Sequence, residues 1–165
     1  MPWIENVACT DIPNANHHDA GLYSMLIQIM DPATMFPEPK HHFKEVHQFE
    51  FLDVDGDCMS NNGGGNWEDM SEWAITREQA KKIVALLKHA LDKRMNVVVH
   101  CFAGLCRSGA VAEVGIKMGF DDVGNFKSPN TRVMKFMMDE IGLPYEEKPH
   151  NWREDYRQYM SMKYD

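Results

Sequence analysis

Asn96-Val97-Val98-Val99-His100-Cys101-Phe102-Ala103-Gly104-Leu105-Cys106-Arg107-Ser108-Gly109 passes from a β-branched apolar run, through a short glycine-bearing stretch, into residues compatible with a helix. Three successive valines suit a strand buried on both faces of a sheet, the usual setting of a parallel strand. From Ser108 to Met118, Ala110, Val111, Val114 and Ile116 allow a helix. A strand ending at His100, a loop around Gly104 and a helix beginning after Arg107 aim backbone N–H groups and the positive end of a helix dipole at one point. A phosphate dianion fits such a point.

Outward from this stretch, the pattern predicts a helix before it. Thr76 and Gln79 form a capping box, Ala80, Ile83, Val84, Leu87, Ala90 and Leu91 recur at helical spacing, and Lys93-Arg94 suit the negative end of the dipole. Earlier, the run Leu22 to Met30 reads as a buried strand stopped at Asp31-Pro32, and Val46, Phe49, Phe51 and Val54 mark another. Residues 56–72, centred on Asn61-Asn62-Gly63-Gly64-Gly65-Asn66, read as a polar spacer loop. Asn130 to Ile141 and Asn151 to Lys163 read as helices. The expected fold is α/β: a single domain over 1–165, with a central mixed or partly parallel sheet flanked by helices.

Bulk properties narrow the function. The chain has 165 residues and a net charge of -8, which disfavours nucleic acid or an anionic membrane as main partner. No apolar run approaches the roughly 18 residues of a membrane span. Four cysteines without a Cys-x-x-Cys pair suggest neither a disulfide framework nor a zinc site, so a reduced cytoplasmic setting is expected, with no metal and no cofactor. His17-His18 and His41-His42 read as solvated loop residues, and Cys58 and Cys106 as inert thiols.

The chemistry concentrates between His100 and Ser108. The loop's electrostatic field favours the thiolate of Cys101, the form that attacks. Arg107 supplies a planar fork for two phosphate oxygens. Gly104 allows close backbone approach, and Ser108 can donate a hydrogen bond to the departing sulfur. The backbone of Phe102, Ala103, Gly104, Leu105, Cys106 and Arg107 lines the expected substrate-binding loop.

His100-Cys101-x5-Arg107-Ser108-Gly109 resembles the signature loop of the cysteine-based protein tyrosine phosphatases, most closely their dual-specificity branch. Phe49-Glu50-Phe51-Leu52-Asp53 resembles the strand that ends in that family's general acid, and Ser128-Pro129-Asn130 resembles the start of a late helix. The resemblance implies that Cys101 attacks phosphorus, that Arg107 and the loop amides hold the oxygens, and that His100 orients and tunes the cysteine. It also implies an aspartate as proton donor: Asp53 fits the strand end best, with Asp55, Asp57 and Asp69 as alternatives. The segment before Asn130 is shorter than in that branch, and the glycine-rich insert is longer. The expected substrates are phosphorylated proteins or small aryl phosphates. A rhodanese-type sulfurtransferase and a catalytically silent phospho-binding module are the competing readings.

Overall fold

The computed structural model describes residues 1–54, 72–146 and 152–164. Asp55, Asp57, Cys58 and Asp69 therefore lie outside the described residues, as does nearly all of the glycine-rich spacer. The strands are β1 (Trp3–Ala8), β2 (Ser24–Met30), β3 (Glu45–Glu50), β4 (Asn96–Cys101) and β5 (Asp121–Asp122). They form one sheet in the order β3-β2-β4-β1-β5, and every pairing is parallel. The helices are α1 (Arg77–Asp92), α2 (Arg107–Met118), α3 (Thr131–Ile141) and α4 (Trp152–Tyr164).

The valine run behaves as its composition dictates. Val97, Val98 and Val99 are fully buried in β4, between β2 and β1. Each such side chain contributes about 1.5–2 kcal/mol by leaving water. Val97 and Val99 share a core with Ile4, Met25, Ile27 and Ile29 of the sheet and with apolar residues of α1, α2 and α3. Val98 faces the other way, into a smaller cluster with Val7 and Leu26 that Ile12, Ala20 and Phe43 cover.

α1 begins as its sequence predicts: the Thr76 side chain accepts from Gln79 N, and the Gln79 side chain accepts from Thr76 N. The strand around Phe49 is shorter than its pattern suggests. β3 stops at Glu50; Phe51 N still donates to Met30 O at 3.1 Å, but Leu52 N turns to Trp73 O at 2.7 Å, and the chain leaves the sheet before Asp53.

β1 is the element that periodicity did not isolate. Its middle residues Glu5 and Asn6 are each only 3% exposed, and buried polar side chains erase the apolar pattern that marks a strand. Because all strands run the same way, the chain ends of β1, β2, β3 and β4 open at one edge, where an open α/β sheet builds its site.

Candidate active site

Cys101 is the last residue of β4 and is 2% exposed, with its Sγ 3.1 Å from Ser108 Oγ at the start of α2. The loop between them is held from outside by its carbonyls. Cys9 N donates to Phe102 O at 3.1 Å, Asn6 Nδ2 to Gly104 O at 2.8 Å, Ser128 N to Leu105 O at 3.0 Å and Asn130 N to Cys106 O at 3.0 Å. In a trans peptide the next N–H points opposite to the carbonyl. Turning these four carbonyls outward therefore directs the N–H groups of residues 103, 105, 106 and 107 to the inside of the curve.

Gly104 is needed twice over. Its φ is +78°, and a Cβ there would lie 2.4 Å from the Val7 carbonyl carbon. Only glycine fits both the left-handed backbone and the contact with β1. The Cys106 side chain makes no cap hydrogen bond at the N-terminus of α2, whereas Thr76 caps α1 and Asn130 caps α3. A helix N-terminus that its N-cap side chain leaves open, beside inward-facing amides, offers positive potential that an anion could satisfy.

Arg107 is 4% exposed and fixed against the β2 side of the loop. One terminal nitrogen donates to Asp31 Oδ1 at 2.7 Å and to Phe51 O at 2.7 Å, while Nε is buried with no partner among the described residues. Asp31, directly after β2, is half-exposed. The guanidinium is thus oriented by a carboxylate and a carbonyl, with donors to spare for an anion.

His100 is fully buried. Burial, and then the nearby Arg107 charge, push its pKa down to about 4 against an opposing hydrogen bond to Cys101 O. It is neutral at pH 7, with Nδ1–H directed at Cys101 O at 3.3 Å. Such a ring fixes the backbone under the nucleophile, but it brings no positive charge to the sulfur.

Asp53 reaches this assembly through Asn130. The Asn130 Oδ1 accepts from Val133 N, capping α3, while its Nδ2 donates to Asp53 Oδ1 at 2.6 Å and to Val54 O at 3.2 Å. Since Asn130 N also holds Cys106 O, one residue ties the loop to the carboxylate. The sequence-predicted residues Cys101, Arg107, Ser108, His100 and the 102–107 backbone come together, and Asp53 is linked to them. Three supporting residues were missed: Asn6, Asp31 and the clamping role of Asn130. Only Asn130 carried a local signal, as a helix cap; the other two act across strands and leave no periodic trace.

Among the described residues, no group of three His, Cys, Asp or Glu could hold a metal ion, and Cys9 and Cys101 are free thiols. No described helix is long and apolar enough to cross a membrane. Comparison with known proteins finds no family model that matches the chain and no curated protein similar to it.

Proposed function

We propose that the protein is a phosphomonoester hydrolase that works through a cysteinyl-phosphate intermediate, of the protein tyrosine or dual-specificity kind. The observation that carries this reading is the placement of Cys101 Sγ, 3.1 Å from Ser108 Oγ, at the base of a loop whose outward-held carbonyls leave amides inside, beside Arg107.

The phosphate dianion takes the position of the missing cap on α2, held by the inner N–H groups and the Arg107 fork. Cys101 Sγ attacks phosphorus, the ester P–O bond breaks, and Asp53 gives its proton to the leaving oxygen. Water then attacks the phosphocysteine and loses a proton to Asp53. The S–P bond breaks, and the Ser108 hydroxyl donates to the released thiolate. Charge on the transferring group is met by fixed dipoles and one guanidinium, so the steps call on no metal.

Hydrolysis of para-nitrophenyl phosphate in chelator, from pH 5 to 8, tests the reading. Wild type is expected to turn over and Cys101→Ser to lose turnover by at least about 10³-fold while still binding vanadate. Turnover that survives in Cys101→Ser refutes the mechanism. A silent wild type shifts the reading to a sulfurtransferase, assayed with thiosulfate, or to a phospho-binding module.

A further inference from the structure

The strap between β5 and α3 supports the anion loop from outside. Residues 123–130 form neither helix nor strand, yet two of the loop's outward carbonyls depend on them. Ser128 N donates to Leu105 O at 3.0 Å. Phe126 O accepts at 3.0 Å from Asn6 Nδ2, the same group that donates to Gly104 O at 2.8 Å. The N–H groups that follow those two carbonyls, at Leu105 and Cys106, are among the donors turned into the loop.

Irregular backbone has no ladder to fix it, so side chains must. Ser128 is fully buried at the foot of α3. Asn125 Nδ2 ties its own position to β1, donating to Asn6 O at 3.0 Å and to Glu5 Oε2 at 3.2 Å. Phe126, between them, is only half-buried, and rings from α4 hold it. Tyr159 stacks on Phe126 with centroids 4.8 Å apart and planes 16° from parallel, and Tyr156 lies 5.7 Å from Phe126 at 50°. Tyr156 and Tyr159 are three residues apart and so share one face of the helix, which lets both reach a single ring.

We propose that Tyr159 is a positioning residue for the anion loop, acting through Phe126 and Asn6 on Gly104. The inference rests on the hydrolase reading above. Aromatic rings prefer a narrow set of arrangements, so the stack fixes the orientation of Phe126 beyond what burial of its area would do. Without the second ring Phe126 turns, its carbonyl leaves Asn6 Nδ2, and the amide that holds Gly104 O is no longer held from behind. The Leu105 N–H then drifts from the focus it shares with its neighbours. Affinity for the phosphate dianion thus depends on α4, although the pocket itself is built from other elements.

Tyr159→Leu and Tyr159→Phe in the full chain test this, with para-nitrophenyl phosphate kinetics and vanadate inhibition measured on each. The inhibition constant counts folded molecules only, so it separates positioning from a loss of stability. Tyr159→Leu keeps an apolar side chain without a ring. Its KM and vanadate inhibition constant are expected to rise about five- to tenfold, with kcat falling less than about threefold. Tyr159→Phe restores the ring and should stay within about twofold of wild type. Combined with Asn6→Ala, Tyr159→Leu should weaken vanadate less than about twofold further, because the route is already cut. Unchanged vanadate inhibition in Tyr159→Leu overturns the proposal, as do equal losses in the Leu and Phe variants or losses that add in the double variant. Phe126→Leu removes the other ring of the pair and decides in the same way should Tyr159→Leu fail to fold. A wild type that binds vanadate by calorimetry but leaves aryl phosphate intact would sink the hydrolase reading, and the same affinity series would still decide the role of Tyr159.

Discussion

Asn130 Nδ2 lies 2.6 Å from Asp53 Oδ1, while the Oδ1 of the same asparagine caps α3 through Val133 N. One side chain thus closes a helix and holds the candidate proton donor by its Oδ1. Asn130→Asp separates the two roles, since aspartate caps as well as asparagine but repels Asp53. Because Asn130 is fully buried and also donates to Val54 O, we expect lower stability in denaturant unfolding, with turnover of phenyl phosphate per folded molecule lowered about 10–100-fold and that of para-nitrophenyl phosphate much less. Equal losses on both substrates would move the acid from Asp53 to Asp55, Asp57 or Asp69.

Asp31 and Arg107 form the second such relationship, at 2.7 Å with the guanidinium buried and the carboxylate half-exposed. Asp31→Asn keeps an acceptor but removes the charge that fixes the fork. A rise in KM of about tenfold with a smaller fall in kcat is expected, because in the proposed mechanism Arg107 binds phosphate in both ground and transition states. Arg107→Lys should cost on the order of 10² in kcat/KM, since a point charge cannot replace the bidentate fork. Steady-state kinetics with vanadate inhibition on both variants will check this; unchanged constants for Asp31→Asn would show that Phe51 O suffices.

Ser108 Oγ lies 3.1 Å from Cys101 Sγ. Ser108→Ala should slow breakdown of the phosphocysteine more than its formation, so kcat falls about tenfold and a burst of nitrophenol precedes the steady state. Rapid-mixing kinetics reads this directly, and a uniform slowing without a burst would place the hydroxyl in the first step.

Gly104→Ala forces a Cβ to within 2.4 Å of the β1 backbone at a φ of +78°. The loop must move off β1, at a cost of about 2–4 kcal/mol, and the amides lose their common focus. Denaturant unfolding and aryl phosphate turnover should both fall sharply. Retained turnover would mean that the loop re-forms elsewhere.

His100 makes stability depend on pH. Its folded pKa is about 4 against 6.5 for the free side chain, so the unfolded chain binds the proton more readily. Stability is complete above about pH 6.5, declines as pH falls, and stops declining near pH 4, by about 3 kcal/mol in all. Urea unfolding at pH 7, 5.5 and 4.5 will show the slope; a His100→Asn variant should lie lower at pH 7 but vary less with pH. Parallel profiles for the two proteins would exclude His100 as the source.

Along the chain, the sequence by itself determined whatever depends on neighbours in order. The valine run demanded a buried strand, Thr76 and Gln79 demanded a helix start, and the stretch around Gly104, between the valine run and the apolar residues after Ser108, demanded a tight loop between strand and helix. Each rests on local backbone geometry or on a periodic apolar face. What only the tertiary structure decided is what comes from the far side of a sheet or loop. β1 lay hidden because Glu5 and Asn6 are polar yet buried, and their partners His18, Gly104 and Asn125 stand 13, 98 and 120 residues away. Asp31 meets Arg107 across 76 positions, and Asn130 meets Asp53 across 77. Hydrogen bonds over such separations follow no period, so only the packing of parallel strands with their ends at one edge brings those residues to the site.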